Sequence, residues 1–364
     1  MSSSFYMPTR VFVETECVSH HSDALAALGT SALIVTGRSS SRKNGSLGDV
    51  TSALEKHSIK YTVFDQVEEN PSVETIMKAR DVGKDAGVDF VIGVGGGSPL
   101  DASKAIAVMI KNPESSWELM FDRNASPEHL PVAAVPTTCG TGSEVTAVAV
   151  LTRHDLRTKM PMIHKVFPNI ALCDGKYLVT APKDVICRTA VDALGHMVES
   201  YINTHSSPYN RACVDAGFAL WKKCKDFLTG KTPMTAEAAT DLLNASTFGG
   251  MAIAQTGTSL PHGLSYTLTY EGGIPHGAAV GMFQSGYLRH SPKDMRDHVL
   301  EGIGFSTAEE LGAFIAQISP VTVSAELLDK AVVSLLGNPA KLANCPYKVD
   351  ESVLRDITNS SIHD

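Results

Sequence analysis

Short β-branched runs alternate with amphipathic segments through the first half of the chain, and this alternation restricts the possible folds more than any other feature. Strands separated by helices of such length form right-handed βαβ units, which build a mainly parallel sheet. Ligands of such sheets bind beyond the carboxyl ends of the strands. The predicted strands are residues 9–14, 31–36, 60–67, 89–94, 131–136, 144–152 and 169–173, with predicted helices at 47–57, 73–87 and 99–110 among them.

Strand patterns fade after a seam near residues 179–184, and periodic segments rich in Ala and Leu follow. A chain of 364 residues exceeds the size at which one hydrophobic core stops growing. We therefore expect two domains, a Rossmann-like α/β domain at 1–180 and a helical domain at 181–364. The helices predicted in the second domain are 184–203, 209–228, 235–255, 277–286, 307–318 and 325–337.

A glycine-rich turn, Gly95 to Gly97, follows one predicted strand, and Ser98-Pro99 then opens a helix. Glycines let backbone N–H groups approach an anion, and a helix N-terminus favours negative charge. The order strand, glycine turn, helix predicts a phosphate site, although the residues match neither GxGxxG nor a Walker A loop. A tight turn without a ligand is the alternative.

Two further loops follow buried strands. One, at 136–143, is rich in Thr and Gly and is suited to line the same crevice. The other, at 37–43, carries three cations, several hydroxyls and no acid. In dinucleotide folds an acid at such a position holds the ribose hydroxyls of NAD, whereas basic residues accommodate the 2′-phosphate of NADP. The loop favours NADP(H) over NAD(H), unless it is only a solvated basic loop.

Four side chains in the second half form a candidate metal set. Asp192 and His196 lie four residues apart, on one face of a predicted helix. His262 and His276, each flanked by Pro and Gly, follow in otherwise apolar sequence. A buried imidazole needs partners, and three imidazoles with one carboxylate suit Fe²⁺ or Zn²⁺ better than Ca²⁺ or Mg²⁺. A plain Asp–His contact on a helix is the competing interpretation of the first pair.

Composition excludes other classes of protein. A net charge of −8 without a dense basic run argues against nucleic-acid binding. No apolar run reaches the length of a membrane helix, and the first residues lack the pattern of a signal peptide. The seven cysteines are scattered without a CxxC pair, which is typical of reduced thiols in a cytoplasmic protein.

Four motifs together resemble the iron-containing (group III) alcohol dehydrogenase family: GGGSPLDASK, PTTCGTGSEVT, DALGHMVES and PHGLSYTLTYEGGIPHG. The resemblance covers essentially the whole chain and implies a dehydroquinate synthase-like architecture, with a nucleotide domain, a helical domain and a metal in the cleft between them. It implies a metal held by Asp192, His196, His262 and His276. It also implies a homodimer, and its NADP-using members have loops similar to 37–43. The cofactor contacts that it implies are Gly37, Ser39, Ser40, Asn70, Gly96, Gly97, Ser98, Asp101, Thr137, Thr138, Thr146 and Lys159.

Two positions depart from the family pattern. Tyr266 stands where many members have a further histidine, so we expect no histidine proton relay there. Cys139 replaces the commoner alanine of the threonine loop, and a thiol near a redox-active iron would make the protein sensitive to oxygen.

The expected activity is hydride transfer between a primary alcohol and NADP(H), in either direction. A divalent metal lowers the pKa of a bound hydroxyl and polarises a carbonyl, which helps both directions. His276 is expected to lie near the nicotinamide as well. A maleylacetate-type reductase, a dehydroquinate synthase-type lyase and a non-catalytic nucleotide- or metal-binding protein are the alternatives. The lyase is disfavoured because the region 248–270 is too apolar for a phosphorylated sugar acid.

Overall fold

The computed structural model describes residues 4–359, and these fall into two compact units. The α/β unit comprises residues 7–138 and 143–181. The helical unit comprises the described part of the chain from residue 182 onward, together with residues 4–6 and the short segment 139–142. Four residues from the middle of the α/β half of the sequence therefore cluster with the helices.

The α/β unit contains a six-stranded sheet in which all strand pairs are parallel, as predicted. The order across the sheet is β1-β8-β5-β4-β2-β3, and β6 and β7 form a separate antiparallel hairpin. The strands are β1 (Arg10–Val13), β2 (Ser31–Gly37), β3 (Lys60–Val67), β4 (Phe90–Gly95), β5 (Val132–Pro136), β6 (Val150–Arg153), β7 (Thr158–Pro161) and β8 (Ile170–Cys173).

Helices cover both faces of this sheet. In β4, Phe90 and Ile92 point into one hydrophobic core, while Val91 points into the other. This alternation explains why the strand is apolar throughout: side chains of period two are buried on both sides. The helices of the unit are α1 (Cys17–His20), α2 (Ser22–Ala26), α3 (Ser40–Lys43), α4 (Ser46–Lys56), α5 (Val73–Asp85) and α6 (Gly97–Lys111).

The strand predicted at 144–152 is wrong over most of its length. Residues Ser143–Val145 form one turn of 3-10 helix, and the strand begins only at Val150. Side chains of α6 take the backbone groups that a strand would have paired. Lys104 Nζ donates to the carbonyl of Val148 at 2.8 Å, and Asp101 Oδ2 accepts from the N–H of Val150 at 2.8 Å. The hairpin strand β7 was not predicted.

The helical unit contains the predicted helices with some breaks. The predicted helix 209–228 is two helices that meet at Cys224, and 277–286 is likewise interrupted. The bounds are α7 (Lys183–Tyr201), α8 (Pro208–Lys223), α9 (Lys225–Thr229), α10 (Ala236–Thr256), α11 (Leu260–Gly272), α12 (His276–Gly281), α13 (Gln284–His290), α14 (Lys293–Ile303), α15 (Ala308–Ile318), α16 (Ala325–Leu336), α17 (Pro339–Leu342) and α18 (Glu351–Asn359).

Helix α11 is the most consequential element that the sequence did not predict, because it carries His262. Its Pro261 lies in the first turn, where the missing N–H has no helical partner to lose. Pro and Gly are also typical of loops, and for this reason the sequence pattern did not predict a helix here. Among the described residues, we find no helix both long and apolar enough to span a lipid bilayer.

Candidate active site

Helix α7 positions the first two metal candidates. Asp192 and His196 lie one turn apart on this helix, and both are buried within the helical unit. The helix is buried over nearly all of its second half, so both polar side chains have left bulk water. Buried polar groups need partners that replace water.

Helices α11 and α12 bring the other two candidates to the same place. His262 lies in the first turn of α11, and His276 is the first residue of α12. Close packing of α12 against α7 requires glycine at position 277. A Cβ atom there would lie 1.9 Å from the carbonyl oxygen of Arg188. The backbone contact that glycine allows holds His276 beside Asp192.

The four side chains converge on one small volume. Asp192 Oδ1 lies 3.5 Å from His262 Nε2 and 3.6 Å from His276 Nε2. Ligand atoms of Asp192, His196 and His262 all lie within 4.8 Å of one another. The imidazole rings of His196 and His262 stack at 4.4 Å, and those of His262 and His276 meet edge-on at 5.3 Å. The structure therefore brings together all four predicted ligands.

Hydrogen bonds on the outer side of two rings determine which nitrogen faces inward. His196 Nδ1 donates to the carbonyl of Gly140 at 3.2 Å, within the segment that joins the helical unit. His262 Nδ1 donates to Glu199 Oε1 at 2.6 Å. Because a carbonyl and a carboxylate only accept, each Nδ1 carries hydrogen, and each Nε2 is left to bind a cation.

The electrostatics of the cluster favour a cation at its centre. Burial raises the pKa of the Asp192 carboxyl, but His196, His276 and His262 outweigh burial and hold that pKa below its usual range. Burial lowers the pKa of His196 to about 4, so its ring is a neutral ligand. Burial alone would lower the pKa of His262, but the carboxylates of Glu199 and Asp192 outweigh burial and raise that pKa to about 10. The ring of His262 thus attracts a positive charge, which a proton or a metal ion supplies.

The donor set passes a direct test of fit for a divalent metal. Asp192 Oδ1 and His262 Nε2 are buried, and neither has a hydrogen-bond partner among the described residues. Such orphaned atoms are costly unless an ion or water satisfies them. Three imidazoles and one carboxylate are ligands of Fe²⁺ and Zn²⁺. The side chains of Asp192 and His262 are 4% and 3% exposed, whereas His276 is 26% exposed, so the set opens on the side of His276.

The predicted phosphate turn of the α/β unit lies at the switch point of its sheet. Strand β3 lies on one side of β2, and β4 lies on the other, so the chain reverses direction across the sheet between β2 and β4. Open parallel sheets bind ligands at such a reversal. Gly95 ends β4 with φ of 149°, a conformation that residues with side chains rarely adopt. A Cβ atom at Gly96 would lie 3.0 Å from Thr138 Oγ1.

Three predicted cofactor residues from distant segments meet beside this turn. Asn70 adopts a left-handed conformation with φ of 59°, and its N–H donates to Ser98 Oγ at 3.0 Å. Lys159 Nζ, from β7, donates to Asn70 Oδ1 at 2.7 Å. A non-glycine residue in this conformation stores strain that the surrounding contacts must offset, a pattern frequent at functional sites.

A buried hydrogen-bond network involves side chains of helix α6, which begins at the glycine turn. Ser143 Oγ donates to Asp101 Oδ1 at 2.5 Å, and Lys104 Nζ donates to Ser143 Oγ at 2.7 Å and reaches Thr146 Oγ1 at 3.4 Å. Lys104 is completely buried, and burial lowers its pKa to about 8. The predicted residues Asp101 and Thr146 are therefore joined, while Thr137 and Thr138 directly follow β5, next to β4.

The basic loop is only partly available to a ligand. Gly37 ends β2, Ser39 precedes α3, and Ser40 begins that helix. Arg42 is held by Asp65 of β3 at 2.9 Å. Arg38 and Lys43 are exposed. The loop thus presents three exposed cations beside exposed hydroxyls, and one of them, Arg42, is already paired with Asp65.

Sequence reasoning missed Glu199 and Lys104, although a signal existed for both. Glu199 lies seven positions after Asp192, so it shares the same helical face. Lys104 lies three positions after Asp101 in α6. At the two departures from the family pattern, Tyr266 stacks on His276 at 6.2 Å, and Cys139 is buried against Thr189 with its pKa raised by burial to about 12.

Comparison with known proteins gives consistent matches over nearly the whole chain. The family model of iron-containing alcohol dehydrogenases matches residues 8–175, and the model of their C-terminal region matches residues 186–317. A crystal structure of an iron-containing alcohol dehydrogenase from Thermotoga maritima superposes with a TM-score of 0.91 at 36% identity, covering 99% of each chain. An NADPH-dependent butanol dehydrogenase of Clostridium saccharobutylicum is 28% identical over 73% of this chain and 69% of its own. An NADH-dependent butanol dehydrogenase A of Clostridium acetobutylicum is 25% identical over 84% and 80%.

Proposed function

Because this chain belongs to the iron-containing alcohol dehydrogenase family, we propose that it transfers hydride between a primary alcohol and NADP(H) with Fe²⁺ as its metal. The protein is an oxidoreductase of the alcohol dehydrogenase class, in a family that binds a metal and a nicotinamide dinucleotide. The choice of Fe²⁺, the choice of NADP(H) and the residue roles are our proposal.

One observation carries the proposal: three buried ligand groups lie within 4.8 Å of one another, and a fourth, His276 Nε2, lies 3.6 Å from Asp192 Oδ1. We propose that Asp192, His196, His262 and His276 hold the metal. When bound, such a metal acidifies an alcohol hydroxyl or polarises an aldehyde carbonyl. Asp192 has its pKa held low by the three imidazoles, so it stays ionised and does not take up the substrate proton.

Ferrous ion suits this set better than zinc. Four protein ligands complete the tetrahedral shell that zinc prefers in structural sites, which leaves no position for a substrate. Iron in the ferrous state accepts further ligands, as in other non-haem sites that keep open positions. The cluster is enclosed around Asp192 and His262 and open at His276, so we propose that the substrate approaches past His276 and Tyr266.

The exposed loop that follows β2 supports NADP(H). Ser39 and Ser40 offer hydroxyls, and Arg38 and Lys43 offer positive charge that no acid of the same loop offsets. Arg42 contributes less because Asp65 already engages it. We propose that the predicted contacts at Gly37, Ser39 and Ser40 hold the ribose end of the dinucleotide. Those at Gly96, Gly97, Ser98 and Asp101 then hold its phosphates.

Two further proposals concern the protein in its setting. All seven cysteines are thiols, and six of them are buried, which suits a reducing compartment such as the cytoplasm.

Strand β1 is at the edge of the sheet and, within the described part of the chain, pairs with β8 alone, so its other side can pair with a second chain. We therefore propose a homodimer, which analytical ultracentrifugation measures directly.

A substrate panel with purified, anaerobically iron-loaded protein tests the activity. We expect NADP⁺ reduction with primary alcohols, followed by the ultraviolet absorbance of NADPH, and about one metal per chain by elemental analysis. Activity restricted to substrates that carry a carboxylate would instead support the maleylacetate-type reductase. Absence of turnover with every alcohol and aldehyde, despite full metal loading, would contradict the proposal.

A further inference from the structure

Glu199 is a fully buried carboxylate that contacts the outer ring nitrogen of His262 in the candidate metal site. It lies on α7, on the face that carries Asp192, and none of its surface reaches solvent. A buried carboxylate is costly unless its oxygens accept several hydrogen bonds. Its location beside another buried acid on the same helix calls for a specific reason.

The hydrogen bonds to the Glu199 carboxylate come from α11, from the residue that precedes it and from the first residue of α13. Its Oε1 accepts from His262 Nδ1 at 2.6 Å and, more weakly, from Gln284 Nε2 at 3.4 Å. Its Oε2 accepts from the backbone N–H of Ser259 at 2.6 Å and from that of His262 at 3.4 Å. One carboxylate therefore holds both the first turn of α11 and the imidazole ring that this turn carries.

The consequence for His262 follows from donor and acceptor chemistry. A carboxylate that already accepts backbone N–H groups can only accept from the ring, so Nδ1 must carry the hydrogen. Nε2, which lies 3.5 Å from Asp192 Oδ1, is then left to bind a metal ion. A carboxylate on the outer nitrogen also makes the inner nitrogen a stronger base, and therefore a stronger metal ligand.

We propose that Glu199 is a positioning residue of the metal site, which sets the orientation and tautomer of His262 and makes the buried site neutral with a divalent ion. The assignment rests on the proposed function, since it presupposes that His262 is a ligand. Asp192 alone would leave a divalent ion with a net charge of +1. Glu199 supplies the second negative charge at one hydrogen bond's distance from the ligand set.

Substitution of Glu199 by Gln tests the assignment with a readout that does not depend on turnover. The variant keeps the size of the side chain but removes its charge and one acceptor. Dissociation constants of Zn²⁺ and Co²⁺ are measured by competition with a chromophoric chelator, and the visible spectrum of the Co²⁺ form reports the ligand field. We expect affinity to fall by about 10- to 100-fold, with an altered Co²⁺ spectrum.

Ser200→Ala is the matched control. Ser200 is the next residue on α7 and is equally buried, but it bonds Asn210 and Thr256 instead of a ligand. If Glu199 acts only by supporting the helix, both variants should lose stability while metal affinity and the Co²⁺ spectrum stay as in the wild type. That result would overturn the proposal. A wild-type chain that binds neither ion would overturn the metal site itself, and the assignment with it.

A second measurement on the wild-type chain keeps the proposal testable if Glu199→Gln does not fold. Nitrogen-15 spectra of the zinc-loaded protein, labelled at histidine and assigned with a His262→Gln variant, show which ring nitrogen carries hydrogen. We expect a slowly exchanging proton on Nδ1 of His262. A protonated Nε2, or metal bound through Nδ1, would contradict the role of Glu199.

Discussion

Asp192 Oδ1 and His262 Nε2 lie 3.5 Å apart in the interior of the helical unit, and neither makes a hydrogen bond within the described part of the chain. The two residues come from α7 and α11, which are separated by three other helices in the sequence. Two buried polar atoms without hydrogen-bond partners are costly to keep unless an ion or water satisfies both of them. This relationship is the strongest physical argument for a metal at the site.

Replacement of His262 by Ala removes one of the proposed ligands and the hydrogen-bond partner of Glu199. We expect metal content to fall from about one ion per chain to a small fraction, and turnover to be lost with it. Elemental analysis and the alcohol assay measure the two effects, and dinucleotide binding should persist because the predicted contacts lie in the α/β unit. His298→Ala is the control, since His298 is exposed and pairs with Asp215. Full metal occupancy in the His262 variant would exclude it as a ligand.

The backbone contact at Gly277 should be sensitive to a single methyl group. A Cβ atom at this position would lie 1.9 Å from the carbonyl oxygen of Arg188, so α12 must move away from α7. We expect Gly277→Ala to lower the free energy of unfolding by about 1–3 kcal/mol, as overpacking does, and to weaken metal binding by displacing His276.

Gly48→Ala provides the comparison for that substitution. Gly48 lies in α4, and no atom lies within 4 Å of the position that an alanine methyl group would take, so alanine should stabilise by about 0.5–1 kcal/mol. Urea denaturation gives both free energies. Unchanged metal affinity in Gly277→Ala would show that the contact does not position His276.

Charge reversal at Arg38 tests the choice of dinucleotide. Arg38 is exposed in the loop after β2, where we propose that the 2′-phosphate binds. Arg38→Asp should weaken NADPH roughly tenfold while changing NADH little, because an exposed charge contributes about 1 kcal/mol. Fluorescence titration measures both constants. Lys60→Asp makes the same change at the opposite end of the sheet, where β3 begins, and should leave both constants unaltered. An equal loss for both dinucleotides in Arg38→Asp would refute the NADP assignment.

The buried amine of Lys104 predicts a pH dependence of stability. Its pKa is lowered by burial to about 8, whereas an unfolded lysine titrates near 10.4. Between these values the unfolded chain binds more protons, so stability should rise with pH, by up to about 1.4 kcal/mol per pH unit. The measurement is the difference in unfolding free energy between wild type and Lys104→Met from pH 8 to 10. A difference that does not change with pH would contradict the low pKa of Lys104.

Local patterns predicted the fold class well because they depend on neighbouring residues. Strand β3 has the predicted bounds, and α7 and α10 differ from prediction by one or two residues at their ends. Burial on both faces of a sheet or along one side of a helix leaves a periodic record in the sequence. The parallel sheet and the helical second half are confirmed by the structure.

The strand prediction failed where side chains, instead of a neighbouring strand, form hydrogen bonds with the backbone. At 144–148 the periodic pattern indicated a strand, but Lys104 bonds the carbonyl of Val148 and prevents regular pairing. Likewise, the order of β4, β2 and β3 across the sheet leaves no periodic record, because it depends on which crossover each helix makes. The location of the predicted phosphate turn at the switch point was therefore visible only in three dimensions.

The sequence by itself determined the alternation of strands and helices, the glycine turn after β4 and the four residue types suited to a metal. Only the tertiary structure decided that these four side chains meet, that Glu199 holds the outer nitrogen of His262, and that Gly277 lets α12 approach α7. The reason is physical: periodicity reports the free energy of burying one face of an element, which is local. Convergence depends on the packing of helices distant in sequence, and no short-range pattern records it.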